Sequence, residues 1–193
     1  MVAFAGHESS DAGGLALINI LALSGSQRAA STNTALVVAL ARNAPPGCHV
    51  SVYDGLGHLP IFNPDDEGER TPQEVTALIA AVTRADGVIV SCPEYAHGVP
   101  GGLKNALDWL VSRDAVVGKP AMQVHASPRS QFARAALAEI MKTMSFDLFD
   151  GQDLTITLLG KRPQEMDEIL ADAASIALMR DRLAAFSSFV CTR

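Results

Sequence analysis

Two segments of this 193-residue chain concentrate the side chains that could do chemistry. The first reads Ser24-Gly25-Ser26-Gln27-Arg28-Ala29-Ala30-Ser31-Thr32-Asn33 and lies between an apolar run and a stretch of helix formers. A loop of this kind aims backbone N–H groups and hydroxyls at the positive end of the following helix, which makes an anion site. It has neither the GxGxxG of a dinucleotide turn nor the GxxxxGK[ST] of a triphosphate loop, so a monophosphate suits it. On spacing alone a second reading stays open, in which Ser31, Thr32 and Asn33 cap a helix and Arg28 is a solvated charge. The other segment, from Pro93, Glu94, Tyr95, Ala96 and His97 to Trp109, is unusually rich in Gly, Pro and aromatic residues for a simple connection. Metal chemistry is not expected, because the five histidines do not cluster at ligand spacing and Cys48, Cys92 and Cys191 form no CxxC pair.

Alternating apolar runs and amphipathic stretches must position these loops, a pattern of strand-helix units that form a parallel sheet covered on both faces. Strands are expected at Leu15–Leu23, His49–Tyr53, Gly87–Cys92, Ala121–His125 and Leu154–Leu158. The first helix spans Thr32–Arg42 and stops at Ala44-Pro45-Pro46-Gly47. Thr71-Pro72-Gln73-Glu74 reads as a capping box opening a second helix, with Val75, Leu78, Ile79 and Val82 on its buried face. Pro100 opens a third helix buried through Leu103, Ala106, Leu107, Leu110 and Val111, and Gln131–Met144 forms a fourth. A last, Ala-rich helix runs from Pro163 toward Phe189. Periodicity leaves flavodoxin-like and Rossmann-like strand orders open, but either puts the site at the carboxyl ends of the strands. The loops to inspect follow Leu23, Cys92 and His125.

Composition narrows the function classes. The chain is 48% hydrophobic and 19% charged with a net charge of -6, an ordinary globular balance that argues against nucleic-acid binding through phosphate neutralisation. No apolar run approaches the roughly 20 residues of a membrane helix. Residues 1–14 carry Glu8 and Asp11 and no Lys or Arg, so they are expected to be a flexible leader before a single domain at 15–193. The odd, scattered cysteines point to a reducing cytoplasm.

The two loops together resemble those of the NADPH-dependent FMN reductase family of flavodoxin-like quinone, azo-dye and chromate reductases. Gly25, Ser26, Arg28, Ser31 and Asn33 match a Gly-Ser-x-Arg-x-x-Ser-x-Asn motif. Pro93 through Trp109 match Pro-Glu-Tyr followed by Pro-Gly-x-Leu-Lys-Asn-Ala-x-Asp-Trp. The resemblance extends over about Leu17–Leu158. It implies a three-layer α/β sandwich with a five-stranded parallel sheet in the order 2-1-3-4-5. It also implies hydride transfer from NADPH or NADH to bound FMN, then to a quinone, azo, metal-ion or flavin acceptor, with a flavin-binding sensor or flavodoxin-type carrier as the alternative. Ser24, Gly25, Ser26, Arg28, Ser31 and Asn33 would form the phosphate end of the FMN site. Pro93, Glu94, Tyr95, Ala96 and His97 would line the isoalloxazine, chiefly through backbone, and Ser127 would contribute from the third loop. That loop, Ser127–Ala133, lacks the glycine common in relatives. No side chain is expected to act as nucleophile or general base, since flavin N5 carries the chemistry. Lys104 and Trp109 lie on a helix whose family counterparts help form a homodimer or homotetramer, with ordinary surface and core placement as the other reading. Gly101 is expected to be required for the turn and for helix packing.

Overall fold

The computed structural model describes residues 17–193; the leader at 1–14 and the first residues of the expected first strand lie outside the described residues. Four parallel strands form the body of the sheet: β1 (Ile18–Ser24), β2 (Cys48–Tyr53), β3 (Gly87–Ser91) and β4 (Pro120–His125). The order is β2-β1-β3-β4, and the fifth place beside β4 is shared by two short strands, β5 (Asp147–Leu148) and β6 (Leu154–Thr155). The flavodoxin-like order is therefore present, and the Rossmann-like alternative is set aside.

The helices follow from local signals. α1 (Thr32–Arg42) begins where the Ser31 hydroxyl accepts a hydrogen bond from the Thr34 amide at 3.1 Å. It ends before Pro45-Pro46-Gly47, with Gly47 at φ +81°, a conformation L side chains rarely adopt. α2 (Gln73–Arg84) starts one residue later than the capping-box reading, because Pro72 is extended (ψ 151°) and itself occupies the cap position. Glu74 is thereby shifted out of capping-box register, and the Thr71 side chain makes no cap. α3 (Gly101–Leu110) starts directly after Pro100, and α4 (Gln131–Thr143) has the expected bounds within one residue. Val111 is half-exposed rather than buried, since it falls just past the end of α3.

Two expectations fail near the carboxyl terminus. The fifth strand is split: β5 pairs with Pro120 and Ala121, β6 pairs with Val124 and His125, and the exposed residues 150–153 separate them. Ile156 and Leu158 still donate to the His125 and Ala126 carbonyls, so the line of the expected strand continues beyond its regular part. The single last helix is two, α5 (Pro163–Ala171) and α6 (Ala173–Cys191). Asp172 adopts ψ 142° and its carboxylate accepts from the Ala174 amide at 2.9 Å, so it caps a new helix inside an otherwise Ala-rich run.

Strand alternation sorts the core onto the two faces. Leu21, Leu23, Val88, Val90 and Ala121 pack under α2, α3 and α4. Ile20, Ala22, Ile89, Met122 and Val124 pack under α1, α5 and α6. Because β3 is covered on both sides, every residue of it is buried, which explains its unalternating apolar sequence.

Candidate active site at the carboxyl ends of the strands

The loop after β1 is folded by its own hydroxyls. Ser24 Oγ lies 2.8 Å from Thr34 Oγ1, and Ser31 caps α1. The Asn33 carbonyl accepts from the buried Ser91 hydroxyl at 2.9 Å, tying the start of α1 to the end of β3. Gly25 packs so closely against Pro93 and Leu103 that a β-carbon there would lie 2.9 Å from Leu103 Cδ2 and 3.2 Å from Pro93 Cδ. Gly101 has no such constraint: nothing approaches its Cβ position within 4 Å, contrary to the packing role expected for it.

The loop after β3 reverses tightly. Tyr95 and Gly98 exchange two backbone hydrogen bonds of 3.2 and 3.0 Å, with Ala96 at φ +48° and His97 at φ +58° between them. Positive φ at both central residues is the type I′ pattern, which favours Asn and Gly and strains Ala. An Ala96→Asn variant should therefore be more stable by about 1 kcal/mol, seen as a melting temperature a few degrees higher; an unchanged or lower value would contradict the assignment of strain. Cys92, buried where β3 gives way to this loop, has its thiol pushed up to about 12 by burial and by the Glu94 carboxylate, so it stays protonated and inert.

Much of the Lys104–Trp109 motif serves the fold. The Trp109 side chain is fully buried, donates through its indole N–H to the Pro60 carbonyl at 2.8 Å and meets Phe62 edge-on. Asn105 donates to the same carbonyl and accepts from the Phe62 amide, while Lys104 pairs with Asp108. The Trp109 and Asn105 contacts pin the segment after β2 onto α3.

A cavity of about 570 Å3 opens at the carboxyl ends of the strands, within the roughly 300–1,000 Å3 typical of small-molecule sites. Its walls bring together Ser26, Arg28, Ser31 and Asn33 from the first loop, Pro93, Glu94 and Tyr95 from the second, and Ser127 from the third. Ser24, Gly25, Ala96 and His97 are not in its walls: Ser24 and Gly25 support the first loop from behind, and Ala96 and His97 form the outer turn of the second. The third loop supplies Arg129 and Ser130 as well. Its lack of glycine is accommodated by a turn in which Ser127 Oγ accepts from the Arg129 amide at 3.1 Å.

One wall comes from outside the three loops expected to form the site. Gly160, Lys161 and Arg162, immediately before α5, also line the cavity. The signal was present in sequence, because Lys161-Arg162-Pro163 follows the last expected strand and a site at the strands' carboxyl ends includes that strand's loop. Arg28, Arg129, Lys161 and Arg162 make this region cationic on a chain of net charge -6. Among the described residues, Arg28, Arg129 and Lys161 form no ion pair. The helix ends and hydroxyls converging with them fit a phosphate group, so the residues present suit FMN. Also among the described residues, no cluster of His, Cys, Asp and Glu could hold a metal, and no helix is long and apolar enough to cross a membrane.

Beneath the third loop, the His125 imidazole is buried and its Nδ1 has no hydrogen-bond partner. Burial, aided by the Arg134 guanidinium, lowers its pKa to about 4, outweighing the Asp153 carboxylate 3.8 Å away. The unfolded chain takes up a proton near pH 6.5 that the folded chain refuses until about pH 4, so His125 opposes stability as pH falls through that window. The expected loss between pH 8 and pH 5 is about 2 kcal/mol. Denaturant unfolding should show a flatter acid limb in His125→Gln; an unchanged limb would refute the assignment.

Comparison with known proteins agrees with this geometry. Residues 18–156 match the family described as NADPH-dependent FMN reductase. The NADH:(hydroxy)cinnamate reductase subunit CrdA of Vibrio ruber is 35% identical over 128 residues, covering 64% of this chain and 62% of the relative. A quinone reductase of Escherichia coli K12 is 35% identical over 108 residues, covering 54% of this chain and 57% of the relative, so the match spans about three-fifths of either protein's length. The NAD(P)H-dependent FMN reductase PA1204 of Pseudomonas aeruginosa is 32% identical over 131 residues, covering 67% of this chain and 70% of the relative. Among solved structures, the flavoenzyme NAD(P)H:(acceptor) oxidoreductase FerB from Paracoccus denitrificans superposes with a TM-score of 0.72 at 21% identity, over 91% of this chain and 98% of FerB, a likeness of fold. With a family match over most of its length, the chain belongs to the NADPH-dependent FMN reductase family.

Proposed function

We propose that the chain is an FMN-dependent NAD(P)H oxidoreductase that reduces a small-molecule acceptor: a quinone, an azo compound, an oxidised metal ion or a free flavin. The observation that carries this reading is a cavity walled by both motif-bearing loops, lined by Arg28, Arg129 and Lys161 as well as by Pro93, Glu94 and Tyr95. FMN, the cofactor the family implies, supplies hydride chemistry when bound, so the reading asks no side chain to act as nucleophile or general base.

The chain's own residues bind and orient. Arg28, the α1 N-terminus and the Ser26 and Ser31 hydroxyls would hold the phosphate, with Lys161 and Arg162 adding positive charge from the α5 side. Asn33 keeps its amide fixed through its bond to Ser91. Backbone groups of Pro93, Glu94 and Tyr95 would meet the polar edge of the ring.

The test is an anaerobic visible spectrum of the FMN-reconstituted protein before and after NADPH. Rapid loss of the oxidised-flavin band, well beyond a free-FMN control, is the expected result. Bound FMN that fails to bleach would overturn the reductase reading in favour of a sensor or carrier, and absence of FMN binding would overturn both. A panel of quinone, azo, ferric and flavin acceptors then ranks the substrates.

A further inference from the structure

Two contacts join the second loop to the first turn of α4. The Glu94 carboxylate accepts a hydrogen bond from the Ala133 amide at 3.0 Å. The His97 imidazole stacks on the Phe132 ring, with centroids 4.4 Å apart and planes 18° from parallel. α4 has no side-chain cap of its own: Ser130 occupies the cap position, but its hydroxyl turns back to the Ser127 carbonyl. An amide at the start of α4 that needs a partner thus finds it 39 residues earlier in the chain. A carboxylate is well suited to that place, because it meets the positive end of the helix dipole.

The strained turn belongs to the same arrangement. Ala96 and His97 both take positive φ, and this reversal lays the His97 ring over Phe132. Backbone held in a sparsely populated region persists where its surroundings over-determine it. Here two backbone hydrogen bonds and one ring stack do so.

We propose that Glu94 is a positioning residue: with His97 and Phe132 it clasps the second loop to α4, and through α4 it fixes the third loop in the cavity wall. The link runs through the helix. Arg134, the residue after the one Glu94 holds, donates from its guanidinium to the Ser127 carbonyl, so the anchored turn carries the group that anchors Ser127. Ser127, Arg129 and Ser130 all line the cavity. Releasing the first turn of α4 would therefore loosen that wall, although the Glu94 carboxylate itself is committed to a helix amide. The consequence for cofactor binding rests on the FMN reading above.

The experiment pairs amide hydrogen exchange of the cofactor-free chain with FMN titration followed by quenching of flavin fluorescence. Glu94→Ala should speed exchange at the amides of Ala133 and Arg134 and weaken FMN binding, each by about tenfold. Glu94→Gln keeps an acceptor oxygen without the charge and should recover most of both effects. Phe132→Ala should reproduce part of the loss, and its combination with Glu94→Ala should fall short of the sum. The clasp is overturned if Gln is as damaging as Ala, if Glu94→Ala binds FMN like the parent chain, or if FMN binding weakens without faster exchange in α4, which would mark a direct contact. Should the parent chain bind no FMN, the functional reading fails, while the exchange arm still decides whether Glu94 anchors α4.

Discussion

A Gly25→Val variant should lose FMN affinity by about two orders of magnitude or more and unfold at lower denaturant. A β-carbon at this position would stand 2.9 Å from Leu103 Cδ2, 3.2 Å from Pro93 Cδ and 3.4 Å from Leu103 Cβ. Neither neighbour can yield easily: Leu103 is 1% exposed within the α3 core, and Pro93 is a buried ring. The Gly25 amide is also bonded to the Ser91 carbonyl at 2.8 Å, so the loop cannot lift away without losing that bond. Overpacking of this kind costs about 1–3 kcal/mol in stability, and it displaces the loop that carries Ser26 and Arg28. Gly101→Val is the matched control. With nothing within 4 Å of its β-carbon, it should shift stability by about 0.5 kcal/mol or less. Titration with FMN and denaturant unfolding of the two variants side by side decide the point, and equal behaviour would refute the close-packing account.

Arg28→Ala should weaken FMN binding by about 1.5–3 kcal/mol, roughly 10- to 150-fold, with little change in folding stability. The side chain is exposed at the cavity wall and forms no ion pair among the described residues, so its removal breaks nothing that holds the fold. Riboflavin, which lacks the phosphate, provides the internal reference. Its affinity should be nearly the same for the parent chain and for Arg28→Ala, and an equal loss for FMN and riboflavin would show that Arg28 does not serve the phosphate. A small FMN effect would instead move the phosphate contact to Lys161 and Arg162.

The layout of the fold was legible where local pattern and tertiary demand agree. The apolar run Gly87–Ser91, the Ser31 cap and the proline before α3 each carry a short-range signal that the sheet then uses. The strand order came from the paired loop motifs, since periodicity does not distinguish flavodoxin-like from Rossmann-like winding. The two misplaced helix boundaries have a common cause, in that one backbone angle decided what composition could not. Asp172 looks like an interior residue of a long Ala-rich helix until its ψ of 142° makes it a cap. Pro72 looks like the first helical residue until it proves extended. In the site, the residue types of the first two loops were readable, but the bond from the Ala133 amide to the Glu94 carboxylate was not, because nothing in sequence links an amide to an acceptor 39 residues away. Lys161 and Arg162 lie outside both loop motifs, and only the closure of the fold brings the loop after the fifth strand to the same cavity.

The divided fifth strand has a consequence for how this protein behaves at high concentration. β4 would otherwise present a full edge of six residues, Pro120–His125, to any neighbouring chain. Two stubs of two residues cover its ends, and between them lies an exposed loop that carries Asp150 and Asp153. A second molecule approaching this edge meets a short, interrupted ladder and two carboxylates instead of a continuous row of free amides and carbonyls. Interrupted and charged edges of this kind are a recognised defence against strand-to-strand aggregation, so the break in β5 and β6 protects the sheet at a border that a longer strand would have left open to templating.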